Sequence, residues 1–136
     1  MVNAGNTFAG KTITLYADID LNNEEWAPIG TDSNPFNGVF DGKDHTISNL
    51  MINTPAASSV GLFGRTNNGE IKNFTLHNAQ VTGDLNVGAV CGHPYTSKYT
   101  NISLTGNVIV LGRAYVGGML GKNAYANLTD LTVNVN

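Results

Sequence analysis

The residues of this 136-residue chain best suited to chemistry fall into three sets: a compact polar cluster, an alternating acidic run, and cations at a recurring interval. The cluster is Asp41-Gly42-Lys43-Asp44-His45. Two carboxylates beside basic groups are what paired acid–base work, or metal-assisted proton abstraction from a polysaccharide, requires. A tight Asp-Gly turn with a polar tip accounts for the same residues, and Glu70, Asp84 and Asp130 do not reinforce the cluster because they fall in different phases. The acidic run Asp18, Asp20, Asn22, Glu24 sets oxygen ligands at alternate positions, as a calcium loop does. However, the sixth loop position is Asn23 where Gly is required, and the twelfth is Ile29 where Glu is required. A strand with Ile19 and Leu21 inward and the two aspartates toward solvent or a turn explains the run better. No Ser/His/Asp order, metal-ligand spacing or phosphate loop stands out, and no catalytic residue, metal or cofactor is expected.

The cations are Lys43, Arg65, His93 and Lys122, each one residue beyond a glycine, with Tyr95 three and Tyr125 four residues beyond theirs. Stacked like charges repel. Either the turns splay these side chains into solvent, or they form a stripe that an anionic ligand such as an acidic glycan neutralises. The tyrosines serve turn packing or a contact surface for a sugar or a protein.

The elements that must position them are repeats. Val60-Gly61-Leu62-Phe63-Gly64 returns as Val87-Gly88-Ala89-Val90-Cys91-Gly92 and as Val116-Gly117-Gly118-Met119-Leu120-Gly121. Gly64 to Gly92 is 28 residues (92−64) and Gly92 to Gly121 is 29 (121−92), a period of stacked-repeat architectures. Abundant β-branched residues, Asn and Gly, and short period-two runs, argue for coils of two or three strands over helical repeats. Aligning Gly42 with Gly64, Gly92 and Gly121 predicts interior columns Ile47/Ile71/Tyr99/Leu128, Leu50/Phe74/Ile102/Leu131 and Ile52/Leu76/Leu104/Val133. It also predicts a ladder of Asn49, Asn73, Asn101 and Asp130 at a bend. That ladder accounts for Asn73 and Asn101, which otherwise read as glycosylation sequons together with Asn127. Residues 1–7 read as a frayed start or the end of an upstream segment. Cys91, the single cysteine, replaces Phe63 and Leu120 of the other copies and reads as a small buried hydrophobe.

Length is that of one domain, 1–136. A net charge of −3 with 12% charged residues gives no support for nucleic-acid or anionic-membrane binding. No stretch approaches the ~20 apolar residues of a membrane-spanning helix, and a secretory signal is not evident near the start.

Thr12-Ile-Thr-Leu, Asp18-Ile-Asp-Leu, Trp26-Ala-Pro-Ile-Gly, Phe36-Asn-Gly-Val-Phe-Asp-Gly and Thr46-Ile-Ser-Asn-Leu, followed by the Val-Gly-Leu-Phe-Gly copies, resemble the GLUG-motif surface proteins of bacteria over residues 8–136. The resemblance implies a right-handed parallel β-helix in a large exported, adhesin-like protein and carries over no catalytic residues. Cys91 and the His93-Pro94-Tyr95 turn depart from its usual pattern. The expectation is therefore an all-β right-handed parallel β-helix of about five short coils, a piece or small relative of a longer bacterial surface or secreted protein. Its expected role is non-enzymatic, binding a glycan or surface protein or serving as a spacer. The competing reading is a carbohydrate-active β-helix enzyme, or an accessory domain of a secreted protease. The last unit ends without a cap, so an exposed parallel edge is expected, to be covered by a second copy in a homo-oligomer or by further repeats.

Overall fold

A computed structural model describes residues 2–136 and shows an all-β solenoid of about four turns. Its strands are β1 (Thr12–Thr14), β2 (Ile19–Asp20), β3 (Val39–Asn53), β4 (Phe63–Asn67), β5 (Glu70–Thr82), β6 (Leu85–Gly88), β7 (Cys91–Tyr95), β8 (Lys98–Leu111), β9 (Ala114–Gly117) and β10 (Asn127–Val135). All strand pairing is parallel. The long strands form one sheet in the order β1-β3-β5-β8-β10, with β2 also on β3, while β4-β7 and β6-β9 form two narrow sheets. Each coil thus runs a long strand, a short strand of the β6 type and a short strand of the β4 type before it rises one level.

Single residues in the left-handed region turn the chain, in columns. One column is Asp44, Asn73, Asn101 and Asp130; a second is Asn49, Asn78 and Gly106; a third is Ser59, Asn86 and Tyr115; a fourth is Asn68, Thr96 and Tyr125. Asn and Asp tolerate positive φ better than other side chains, which is why the sequence is rich in Asn where it bends. The amides also tie the coils together. Asn101 Nδ2 donates to Asn73 Oδ1 at 3.0 Å, and Asn73 Nδ2 to Asp41 Oδ1 at 3.1 Å. In the second ladder Asn49, Asn78, Asn107 and Asn136 are linked by bonds of 3.2, 2.9 and 3.1 Å.

Replacing Asn101 by Ala should cost about 1–2 kcal/mol, from the left-handed φ of 52° and the lost amide bonds. Asn101→Gly should recover the backbone share. Thermal unfolding of the pair measures both.

The first coil departs from the predicted alignment. The partner of Gly64, Gly92 and Gly121 is Gly30, not Gly42: Ile29 bridges Phe63, and Gly64 N–H donates to the Ile29 carbonyl. The loop after Gly30 delays the next strand, and this displaced the alignment. The interior columns are Phe40/Ile71/Tyr99/Leu128, Phe74/Ile102/Leu131, Ile47/Leu76/Leu104/Val133 and Ile52/Val81/Val110; the predicted members from β5 onward keep their register in the first three, and His45, beyond a bulge in β3, stands where Leu50 was expected beside Phe74. Asn49 accordingly belongs to the second ladder and not to that of Asn73.

The core is nearly all apolar, with Phe36, Phe63, Leu50, Ile71, Leu76, Tyr99, Ile102 and Leu104 fully buried. Phe36, Phe63, Phe40 and Phe74 contact one another in series, at centroid distances of 5.3, 5.4 and 5.6 Å. The start is not frayed: Val2 is buried, and Asn3 donates to Pro28 O at 2.9 Å while accepting from Gly30 N–H at 2.7 Å. At the other end Leu128 and Val133, the last members of their columns, are exposed on β10. Among the described residues, β10 pairs with β8 alone.

Candidate ligand-binding face

Alternation along β4 and β7 turns Thr66 and Pro94 inward and leaves Arg65, Asn67, His93 and Tyr95 on the outer face. Arg65 pairs with His93 in register, and Lys122 N–H donates to the Gly92 carbonyl, which sets Lys122 above His93. Three of the four predicted cations therefore share a column. Lys43 does not: it sits in the β3 bulge of the long sheet, with its Nζ 3.3 Å from Asp41, and the column begins instead at Thr31. The reason is the same Gly30 register.

Like charges in this column are managed by the histidine. Arg65 Nη1 lies 2.7 Å from His93 Nδ1. A guanidinium only donates, so Nδ1 accepts and His93 is held neutral. Burial, then the charge of Arg65, push the His93 pKa below its ordinary value; Asp32 pulls the other way, and Lys122 adds a smaller downward push. Arg65 has further partners: Asp32 Oδ1 at 3.8 Å, and the Tyr95 ring, whose centroid is 5.5 Å from Cζ. Asp32 is positioned by Ser59, whose hydroxyl donates to it at 2.9 Å.

Both predicted tyrosines join this face. Tyr95 and Tyr125 meet edge to face at 6.2 Å and 85°. Two contributors were missed. Asp32 would follow from recognising Gly30 as a repeat glycine, and Tyr115, whose ring centroid is 5.2 Å from Lys122 Nζ, lies in the position held by Asn86 one coil earlier.

The other sets are structural. Asp18 accepts from Thr46 N–H at 2.9 Å and lies 3.1 Å from His45 Nδ1; the Thr46 amide and then His45 lower its pKa. Asp20 accepts from Asn22 N–H and Asn49 Nδ2, and Glu25 from Asn53 N–H. The acidic run thus fastens the N-terminal coil to β3. In the polar cluster, Asp41 takes the Lys43 amide at 3.0 Å and the Asn73 amide, and Asp44 takes Asn101 Nδ2 at 3.2 Å, so both carboxylates cap the first asparagine ladder. Burial pushes Asp41 upward, but these donors and the Lys43 ammonium outweigh it and its pKa is lowered. Cys91 is fully buried with its thiol pushed up to about 11 by burial, as an inert core residue would be.

The fold and face together define a parallel β-solenoid with a compact cationic and aromatic patch on one narrow sheet. No protein-family profile matches the chain, and no solved structure does. It is 36% identical to Halomucin of Haloquadratum walsbyi over 149 aligned positions covering 99% of the chain. It is 35% identical to a protein of Evansella cellulosilytica described as a Gly-rich membrane protein, over 154 positions covering 89% of the chain. The chain spans 2% of the length of the first relative and 18% of the second.

Proposed function

We propose that this solenoid is a non-enzymatic module of a cell-surface or secreted protein, and that the face built from Arg65, His93, Lys122, Tyr95 and Tyr125 binds an acidic glycan. The names Halomucin and Gly-rich membrane protein support a surface setting, one from an archaeon and the other from a different organism, so the setting is not tied to bacteria. The recurring words that end at Gly64, Gly92 and Gly121 support kinship with GLUG-type repeats.

The observation that carries the binding role is the convergence of the charged Arg65 and Lys122, the neutral His93 and two rings on one outer face, while the carboxylates of Asp18, Asp20, Asp41 and Asp44 are hydrogen-bonded to neighbouring coils elsewhere on the scaffold. That engagement supports the non-enzymatic reading over the enzymatic one. Binding to an array of acidic and neutral glycans, measured at low and high salt, tests the role. Acidic glycans should bind, weaken with salt, and weaken about tenfold with Arg65→Ala or Lys122→Ala. Retention of neutral glycans or proteins alone, indifferent to both substitutions, would overturn it.

A further inference from the structure

The corner columns change character in the fourth coil. The column that reads Ser59 and Asn86 in the second and third coils reads Tyr115 in the fourth, and the column that reads Asn68 and Thr96 reads Tyr125. Both tyrosines keep the left-handed backbone of their predecessors, with φ of 54° and 60°. A bulky side chain at such a φ is a true outlier, because its Cβ crowds the following carbonyl; Asn or Gly would be cheaper. Burial does not compensate, since Tyr115 is 59% and Tyr125 82% exposed. Two strained, solvent-facing aromatics in one coil, at positions where the preceding coils carry polar residues, are a cost to the fold that one edge-to-face contact with Tyr95 and one cation contact with Lys122 offset only in part.

Both also adjoin the basic column, at different members of it. Lys122 Nζ stands 5.2 Å from the Tyr115 ring centroid, and Tyr125 packs on Tyr95, whose ring centroid is 5.5 Å from Arg65 Cζ. Strain retained at exposed residues that flank a charged group is the pattern of a recognition site. An exposed ring suits the apolar face of a sugar, and the ammonium beside Tyr115 suits a carboxylate on that sugar. Tyr16, 91% exposed on the N-terminal coil, has no cation or aromatic partner among the described residues and serves as the contrasting case.

We infer that the fourth coil, that of Gly121, is the binding coil, with Tyr115 and Tyr125 as strained platforms that stack uronic-acid residues along a polysaccharide and Lys122 as the carboxylate partner at Tyr115. This rests on the acidic-glycan reading of the face and assigns the contact residues within it.

The test joins binding to melting temperature in Tyr115→Asn, Tyr125→Asn, Lys122→Ala and Tyr16→Asn variants of the full chain, with polygalacturonate as probe and neutral dextran as control. Each Asn variant at a corner should weaken polygalacturonate binding about tenfold while melting stays unchanged or rises by up to about 4 °C, because the backbone strain is relieved. Tyr16→Asn should change neither. Binding that Lys122→Ala weakens but both corner variants leave intact would overturn the platform assignment while leaving the acidic-glycan reading standing. Corner variants that melt several degrees lower would overturn it too, since the tyrosines would then be structural. Failure of the unmodified chain to bind polygalacturonate would overturn the inference, and failure with every acidic glycan would overturn the underlying reading as well.

Discussion

Gly92→Val is expected to abolish the folded solenoid, with a cost of about 3 kcal/mol or more, whereas Gly118→Ala should be tolerated. A Cβ at Gly92 would drive into the Asn86 carbonyl and the Val60 amide, which are backbone and have nowhere to go. The φ of Gly92 is not in the left-handed region; what demands glycine is proximity of neighbouring chain segments inside the coil. Gly61, Gly64, Gly88 and Gly121 meet backbone in the same way, so the glycines of the repeated word are contact residues of the interior. Gly118 has nothing within 4 Å of its would-be Cβ, although it sits in the same word. Circular dichroism and thermal melts of the two variants separate the cases: folded, cooperative Gly92→Val protein would refute this account of the glycines.

Tyr99→Ala should cost about 3–5 kcal/mol, the range for removing a large aromatic from a core that is slow to collapse. Tyr99 is fully buried, and stacks between Ile71 and Leu128 in register. Its hydroxyl lies 2.6 Å from Thr66 Oγ1, itself fully buried, and burial raises its pKa so that it stays a neutral phenol. Removing the ring therefore leaves both a cavity and an orphaned hydroxyl. Tyr99→Phe isolates the second effect and should cost about 1–3 kcal/mol, much of it returned in Tyr99→Phe/Thr66→Val, where neither partner is polar. Denaturant unfolding of the three variants checks the ranking, and equal stability of the single and double changes would show that the buried pair is not a coupled unit.

Recurrence made the last three coils readable from the chain alone. Gly64, Gly92 and Gly121 carry near-constant spacing, so the columns through Ile71, Tyr99 and Leu128 were predicted in their true register. The first coil misled because Asp41-Gly42 mimics the repeated glycine, while Gly30, the real equivalent, follows a Trp-Ala-Pro-Ile sequence of different composition and precedes an insertion. Lys43 was misplaced for that reason. The second asparagine ladder escaped notice because its third left-handed residue is Gly106, with Asn107 supplying the amide bond one position later across a register shift. Side-chain chemistry at the face was partly legible: spacing placed Arg65, His93 and Lys122 in one column, but spacing alone could not show that His93 accepts from Arg65, since that depends on which ring nitrogen lies at 2.7 Å.

The inter-coil bonds also bear on how the chain folds. Arg65 to His93, Asn73 to Asn101, Asn49 to Asn78 and Gly64 to Cys91 are separated by 28, 28, 29 and 27 residues. The loop that must close for each new coil is therefore about 28 residues at every level, and its entropic cost does not grow as coils accumulate. Folding rate in such a chain is governed by forming the first pair of coils; after that, each segment adds to a template whose growing edge is the last completed long strand.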